Sequence, residues 1–418
     1  MAPAVGEEAR AAAERAARAS YGRLVAVLAA STRDIALAED ALADAFERAL
    51  RTWPEAGVPD SPEGWLLTVA RHRQSDVLGS AARRTSVPLP DADGSGRTLP
   101  APLEDTDPDR IPDRRLELLF ACAHPALDPA IRTPLMLQAV LGFEAAEIAR
   151  AFALPSATMA QRLVRAKRRI KDAGIPFVVP DRSVLPARLE PVLEAVYGCF
   201  AIDWQGSAAP TVRESMAAEA HYLAVTLAEM LVDEPEAWGL AALITLSLAR
   251  TPTRSAEVYV PLDEQDAAAW SSALITEGEG HLRRAAECRR DGAPLGRFEI
   301  EAAIQAAHCA RARTGVLDSA ALRTLHEALV VVAPTLGARV ALAAAVARAD
   351  GPAAGLELLD AIDDPALARF QPAWATRAAL LAEAGEHEGA RAAYAKAISL
   401  TTDIPTRRWL EQQAARLG

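Results

Sequence analysis

The chain has 418 residues, 51% of them apolar, and a formal charge of −11. That length supports two or three domains with cores of their own, so no disulfide staples are needed. Alanine abounds, aromatic residues make up only 5% and runs of Val, Ile, Thr and Tyr are scarce, which argues against a sheet protein and predicts an all-α fold.

No apolar run approaches the ~20 residues of a membrane span, and "MAPAVGEEARAAAERAARAS" has no long apolar segment. The sequence therefore reads as cytoplasmic, with no membrane partner. Cys122, Cys199, Cys288 and Cys309 lie far apart without a C-x-x-C pair or a histidine at ligand spacing. They read as small core residues in a reducing compartment, with neither a metal nor a cofactor to hold. The acidity is concentrated in residues 181–418, while the first 180 are near neutral. Such asymmetry suggests that one half meets a polyanion and the other does not.

Residues 7–52 have helical periodicity, with Leu24, Val27 and Leu28 on one stripe and Ala38, Leu42, Ala45, Phe46 and Ala49 on another. Two helices are predicted, separated near "STRD", where Ser31, Thr32 and Asp34 offer capping oxygens. Three prolines and two glycines make "WPEAGVPDSPEG" a predicted loop. The next helix starts after Ser61, with Pro62 at its first position. Residues 85–112 are rich in Pro, Gly and Asp and have almost nothing to bury, so they read as an acidic flexible linker. Two or three short helices follow up to residue 173, then a break at "GIPFVVPDRSVLP" and helix after helix from Pro186.

The most informative stretch is "SATMAQRLVRAKRRIK". Between positions 150 and 171 stand seven basic residues, Arg150, Arg162, Arg165, Lys167, Arg168, Arg169 and Lys171. Met159, Leu163, Ala166 and Ile170 recur at spacings of four, three and four, which makes one buried stripe. Upstream, Ile148 and Phe152 form a short apolar stripe, and "LPSA" makes a tight connection in which Ser156 can cap the second helix. Two short helices, the second basic on its exposed face, describe a helix-turn-helix. Arginine can clamp guanine, Thr158 and Gln161 can meet base edges, and the Arg/Lys run can neutralise phosphates. A basic amphipathic helix is also a common solvated surface, and the lead-in helix and turn weigh against that plainer reading.

The order of segments resembles a bacterial sigma factor of the extracytoplasmic-function class. "DIALAEDALADAFERAL" is similar to its polymerase-binding helix, "SPEGWLLTVARHRQSDVL" to the helix that opens and reads the −10 element, and "FEAAEIARAFALPSATMAQRLVRAKRRI" to its −35-reading helix-turn-helix. The whole chain resembles one subgroup, in which a long tetratricopeptide-like helical extension follows; "HPALDPAIRTPLMLQAVLGF", "DEPEAWGLAALITL" and "DGPAAGLELLDAI" carry that likeness. It implies a region-2-like domain over 1–84, the linker at 85–112, a region-4-like domain over 113–180 and the extension over 181–418.

The resemblance also implies roles. Asp40, Asp44 and Phe46 would dock on core RNA polymerase. Trp53 to Glu63 would capture a flipped base of the −10 element, with Arg71, His72 and Arg73 on the helix that tracks the melted strand. Ser156, Thr158, Gln161, Arg162, Arg165, Lys167, Arg168 and Arg169 would read or grip the −35 element. The linker would thread the polymerase's RNA path or serve as a plain tether. Three departures stand out: Ala43 replaces a Gln or Glu usual in the class, His72 an Asn often found there, and "DVLGSAARR" is less basic than its counterparts.

In the acidic half, Trp374, Ala378, Leu381, Gly385, Ala390, Tyr394 and Ala397 fit one tetratricopeptide repeat, and Gly351 precedes Gly385 by the length of that repeat. A stack of helix pairs over 186–418 is predicted, since one repeat alone is not stable. Glu299 and Glu301 near His308 read as helix surface. No catalytic constellation has convincing spacing, so no enzyme is predicted.

Three functions stay open at this level. The first is a promoter-specificity factor that works with core RNA polymerase and promoter DNA, its extension modulating activity or recruiting a regulatory protein. The second is an operator-binding regulator, and the third a sigma-like adaptor that does not initiate. The helix at "AEDALADAF" and the loop after it favour the first, because a simple regulator needs neither.

Overall fold

The computed structural model describes residues 5–85, 113–152, 154–205, 210–253, 258–290 and 292–417, and every regular element among them is helical. The expected linker at 85–112 therefore lies almost wholly outside the described residues. The chain divides into two compact units, residues 1–202 and 203–418.

The first unit opens with α1 (Val5–Thr32), α2 (Ile35–Ala56) and α3 (Pro62–Thr85). The break between α1 and α2 falls at "STRD". Arg33 takes a left-handed φ of 56°, and the Asp34 side chain accepts from the Leu37 N–H at 3.1 Å, capping α2. Leu24, Leu28, Ile35, Leu42, Leu66 and Leu67 are fully buried where the three helices meet. The loop expected from Trp53 starts later, because α2 runs on through Pro54 to Ala56. Trp53 is buried and meets Trp65 edge-on at 5.4 Å, and that packing holds the final turn despite the missing proline N–H. The Ser61 hydroxyl then accepts from the Gly64 N–H at 3.2 Å and starts α3.

Four helices, rather than two or three, follow from residue 113: α4 (Arg115–Cys122), α5 (Pro129–Ala139), α6 (Ala145–Ala151) and α7 (Ser156–Asp172). The extra division comes at "HPALDP", where Asp128 caps α5 through the Ala130 N–H at 3.0 Å. These helices pack against α1 and α2. Gly22 of α1 lies so close to the end of α5 that a Cβ there would stand 1.9 Å from the Val140 carbonyl oxygen. Helix α8 (Pro186–Gln205) contributes to the same unit as far as Ile202.

The second unit holds α9 (Pro210–Met230), α10 (Pro235–Leu248), α11 (Ser272–Cys288), α12 (Arg297–Cys309), the single turn α13 (Arg311–Thr314) and α14 (Ser319–Val332). It ends with α15 (Leu336–Asp350), α16 (Pro352–Asp360), α17 (Gln371–Glu383), α18 (His387–Leu400) and α19 (Ile404–Ala415). Instead of one centre it has successive small cores, each built by neighbouring helices. Leu246, Trp270, Ile275 and Cys309 make one, Ile300, Leu322 and Leu329 the next, then Val340, Leu359 and Leu380, and last Ala378, Tyr394, Ala397 and Leu410. That is how stacked helix pairs bury their apolar faces. Gly351 and Gly385 turn the last two pairs with φ of 100° and 80°, values that favour glycine.

Glu299 is not helix surface. It is buried, accepts from the Gly296 N–H at 3.0 Å at the start of α12, and pairs with Arg289 at 3.0 Å. The four cysteines are free thiols, and no described helix is long and apolar enough to cross a membrane.

Candidate nucleic-acid interface

Helices α6 and α7 form the helix-turn-helix. The Glu147 side chain reaches back to the Glu144 N–H at 2.9 Å and fixes the start of α6. The Leu154 N–H donates to the Ala149 carbonyl at 2.8 Å and closes the turn. Ile148 is buried as its spacing requires, but Phe152 is 39% exposed and belongs to the turn's surface. Pro155 precedes α7 and no side chain caps it; Ser156 is the first helical residue and exposed, so its hydroxyl does not take the capping role expected of it.

Met159, Leu163, Ala166 and Ile170 anchor α7, leaving Ser156, Gln161, Arg165, Arg168 and Arg169 exposed, with Thr158 and Arg162 half-buried. These seven residues from the expected −35 set therefore lie on or at the edge of one accessible helix surface. A cluster of guanidinium groups there attracts a polyanion and can grip phosphate or guanine.

The eighth, Lys167, does not join them. It is buried, and its Nζ donates to both oxygens of Glu39 on α2, at 2.7 and 2.5 Å. It follows Ala166 at the edge of the buried stripe, so its stem points into the fold and its ammonium needs an acid there. Lys171 pairs with Asp34 at 2.8 Å. Burial raises the Glu39 carboxyl above its ordinary pKa, and the Lys167 charge pulls the other way. Two ion pairs from α7 thus tie it to the start of α2.

A groove of about 420 Å³ opens beside this clasp, lined by Tyr21, Glu39, Asp40, Ala43, Phe143 and Lys167. Asp40, from the expected polymerase-docking set, stands on its rim and is exposed, while Asp44 is exposed one turn further on and Phe46 is half-buried. Asp40, Asp44 and Glu47 follow one another on α2 as an acidic face.

The expected −10 set is divided. Trp53 is only 2% exposed and lies in the core between α2 and α3, so it cannot stack on a base in this structure. The three prolines and two glycines of its stretch suggested a loop; its size won it a place in the core. Trp65, half-buried, lies against it. His72 and Arg73 are exposed, and Arg71 is half-buried with its guanidinium pKa lowered by burial. Arg73 donates to Asp44 at 2.5 Å, which brings the −10 and polymerase-docking sets into contact. Nothing in the sequence pointed to the pairing of Lys167 with Glu39 or of Lys171 with Asp34. The acidity of Glu39 and Asp34 was visible, but Glu39 and Lys167 are 128 positions apart.

A three-helix domain with an acidic helix, packed on a helix-turn-helix whose second helix is basic, is the arrangement expected of a sigma-70-type transcription initiation factor, and family matches bear out that class. Residues 17–84 match the family model Sigma-70 region 2, and residues 117–170 match Sigma-70, region 4. Residues 188–286 match a family of unknown function, DUF6596. An uncharacterized protein of Rhizobium meliloti (strain 1021), R00370, is 33% identical over 393 residues, 92% of this chain and 91% of its own length. A probable ECF RNA polymerase sigma factor SigI, from Mycobacterium tuberculosis (strain H37Rv), is 32% identical over 163 residues, covering 38% of this chain and 54% of its own length. No solved structure matches the chain. The chain thus carries sigma-70 regions 2 and 4 and is similar to an extracytoplasmic-function sigma factor over 163 residues. Sigma-70 regions imply interaction with core RNA polymerase and promoter DNA, and sigma factor families are non-enzymatic.

Proposed function

We propose that the chain reads a −35 element through the exposed face of α7 and a −10 element through α3 and the loop at 57–61, while the acidic face of α2 docks on core polymerase. The exposed row Gln161, Arg165 and Arg168 on the second helix of the helix-turn-helix carries this reading. The helical unit at 203–418 modulates initiation through a protein contact, since its acidity suits it poorly to DNA.

This reading requires the first unit to open. The −10 and −35 elements are centred about 25 base pairs apart, or about 85 Å of B-form DNA. A compact body of this unit's length is on the order of 45 Å across, so α3 and α7 cannot serve both elements while Lys167 holds Glu39.

The test is transcription in vitro from a promoter library, with core polymerase and either the full chain or a version ending at Ile202. Initiation at a discrete promoter class supports the reading, and the shorter version shows whether the second unit drives or restrains it. Duplex binding without polymerase, and no initiation, would instead favour an operator-binding regulator.

A further inference from the structure

Helix α7 carries an apolar side chain where burial does not explain it. Ala157, Gln161, Val164 and Arg168 follow one another at spacings of four, three and four, and all are exposed. Val164 is 67% exposed, the opposite of Leu163, which is 1% exposed beside it. A lone valine on a surface needs no explanation. Its position does call for one, because it stands at the middle of the outward face, one turn from Gln161 and one from Arg168, on the helix that concentrates the basic residues. A β-branched side chain also costs helix propensity relative to Ala, Arg or Lys, and here little burial repays it.

We propose that Val164 is a base-reading residue that packs its methyl groups on the C5-methyl of a thymine in the −35 element. The major-groove edge of a base pair offers hydrogen-bonding groups and one apolar group, the thymine methyl. Arg165, Arg168 and Arg169 flank Val164 with positive charge, which suits the phosphates on either side of a groove and no apolar partner surface. Ala157 and Ala160, also exposed, keep the preceding turn slim, so the helix can approach the base edges closely. Val164 therefore contributes selectivity for thymine at one position, and Gln161 and the arginines read or grip around it.

The inference rests on α7 entering promoter DNA, and the experiment separates the two. Holoenzyme made with the full chain is bound to a promoter selected from a library, with each −35 thymine replaced in turn by deoxyuridine, which removes only the methyl group. Wild type should lose affinity about fourfold at one position, the value of one buried methyl. Val164→Ala should bind the thymine promoter several-fold more weakly and lose its sensitivity to deoxyuridine there. Val331→Ala, on an exposed residue of α14, should behave as wild type. A wild-type holoenzyme that initiates but ignores every −35 methyl overturns the inference alone. So does Val164→Ala that keeps the deoxyuridine effect. A chain that initiates nowhere overturns the promoter reading, and this inference with it.

Discussion

Replacing Lys167 with alanine leaves the Glu39 carboxylate without its partner, and the structure sets the size of the effect. The two side chains are 10% and 18% exposed, with a nearest contact of 2.5 Å. At an effective dielectric constant near 20, two unit charges about 3 Å apart attract by roughly 5 kcal/mol. Desolvation takes back much of that in the intact pair, but removing one partner alone typically costs 3–5 kcal/mol. Glu39 has a way out, since burial already raises its carboxyl and protonation relieves the stranded charge. We therefore expect Lys167→Ala to destabilise the first unit by about 3 kcal/mol at pH 7 and by less at pH 5. The double variant Lys167→Met, Glu39→Leu should recover most of the loss, because an apolar pair removes both charges. The assay is urea unfolding of the full chain followed by amide exchange in α2 and α7, which reports on this unit. Additive single-variant losses, with no recovery in the double variant, would refute the claim that the two residues act as a buried pair.

Arg165→Ala should cost roughly 1–3 kcal/mol of −35 discrimination in holoenzyme binding; unchanged promoter choice would remove it from the reading face. Asp44→Arg should weaken association with core polymerase by reversing charge on the acidic face of α2. Its bond to Arg73 is half exposed on both sides, so stability should change little, and normal holoenzyme formation would take Asp44 out of the interface. In the second unit, burial and the nearby Arg250 push His308 down to about 4 from an ordinary 6.5, against the pull of Asp263. A histidine with a depressed folded pKa favours the folded state while neutral. Its stabilising share is present above about pH 6.5 and is lost as the pH falls through about 4. His308→Gln should therefore flatten acid destabilisation between those values by up to about 3 kcal/mol, read from urea melts; identical pH profiles would contradict the burial argument.

The sequence made the basic helix α7 legible because its evidence is local. Four apolar residues at helical spacing place Met159, Leu163, Ala166 and Ile170 inside, and what remains is the basic face. The break at "STRD" and the turn at Gly385 were legible for the same reason, each carried by residues within a few positions. Lys167 was not, because nothing near it shows that its charge is met by an acid on another helix. Trp53 misled in the other direction: three prolines and two glycines are a strong local sign of a loop, and a large ring with Trp65 to pack on outweighed them at the start of that stretch. Glu299 looked like surface because helical acids are usually exposed, whereas here a cap and Arg289 satisfy it in the interior. Such errors occur where long-range partners decide what local pattern cannot.

The account turns on one chain reading two promoter elements on polymerase, and the distance between its two reading surfaces tests that most directly. Fluorescent labels at Arg15 on α1 and Ala146 on α6, both exposed and neither among the proposed contacts, would report it in the full chain, before and after core polymerase and promoter DNA are added. The account predicts a short distance in the free chain, within a body on the order of 45 Å, and one that approaches about 85 Å on the promoter. A short distance that persists in an initiating complex would contradict it, because the clasped form would then be the active one.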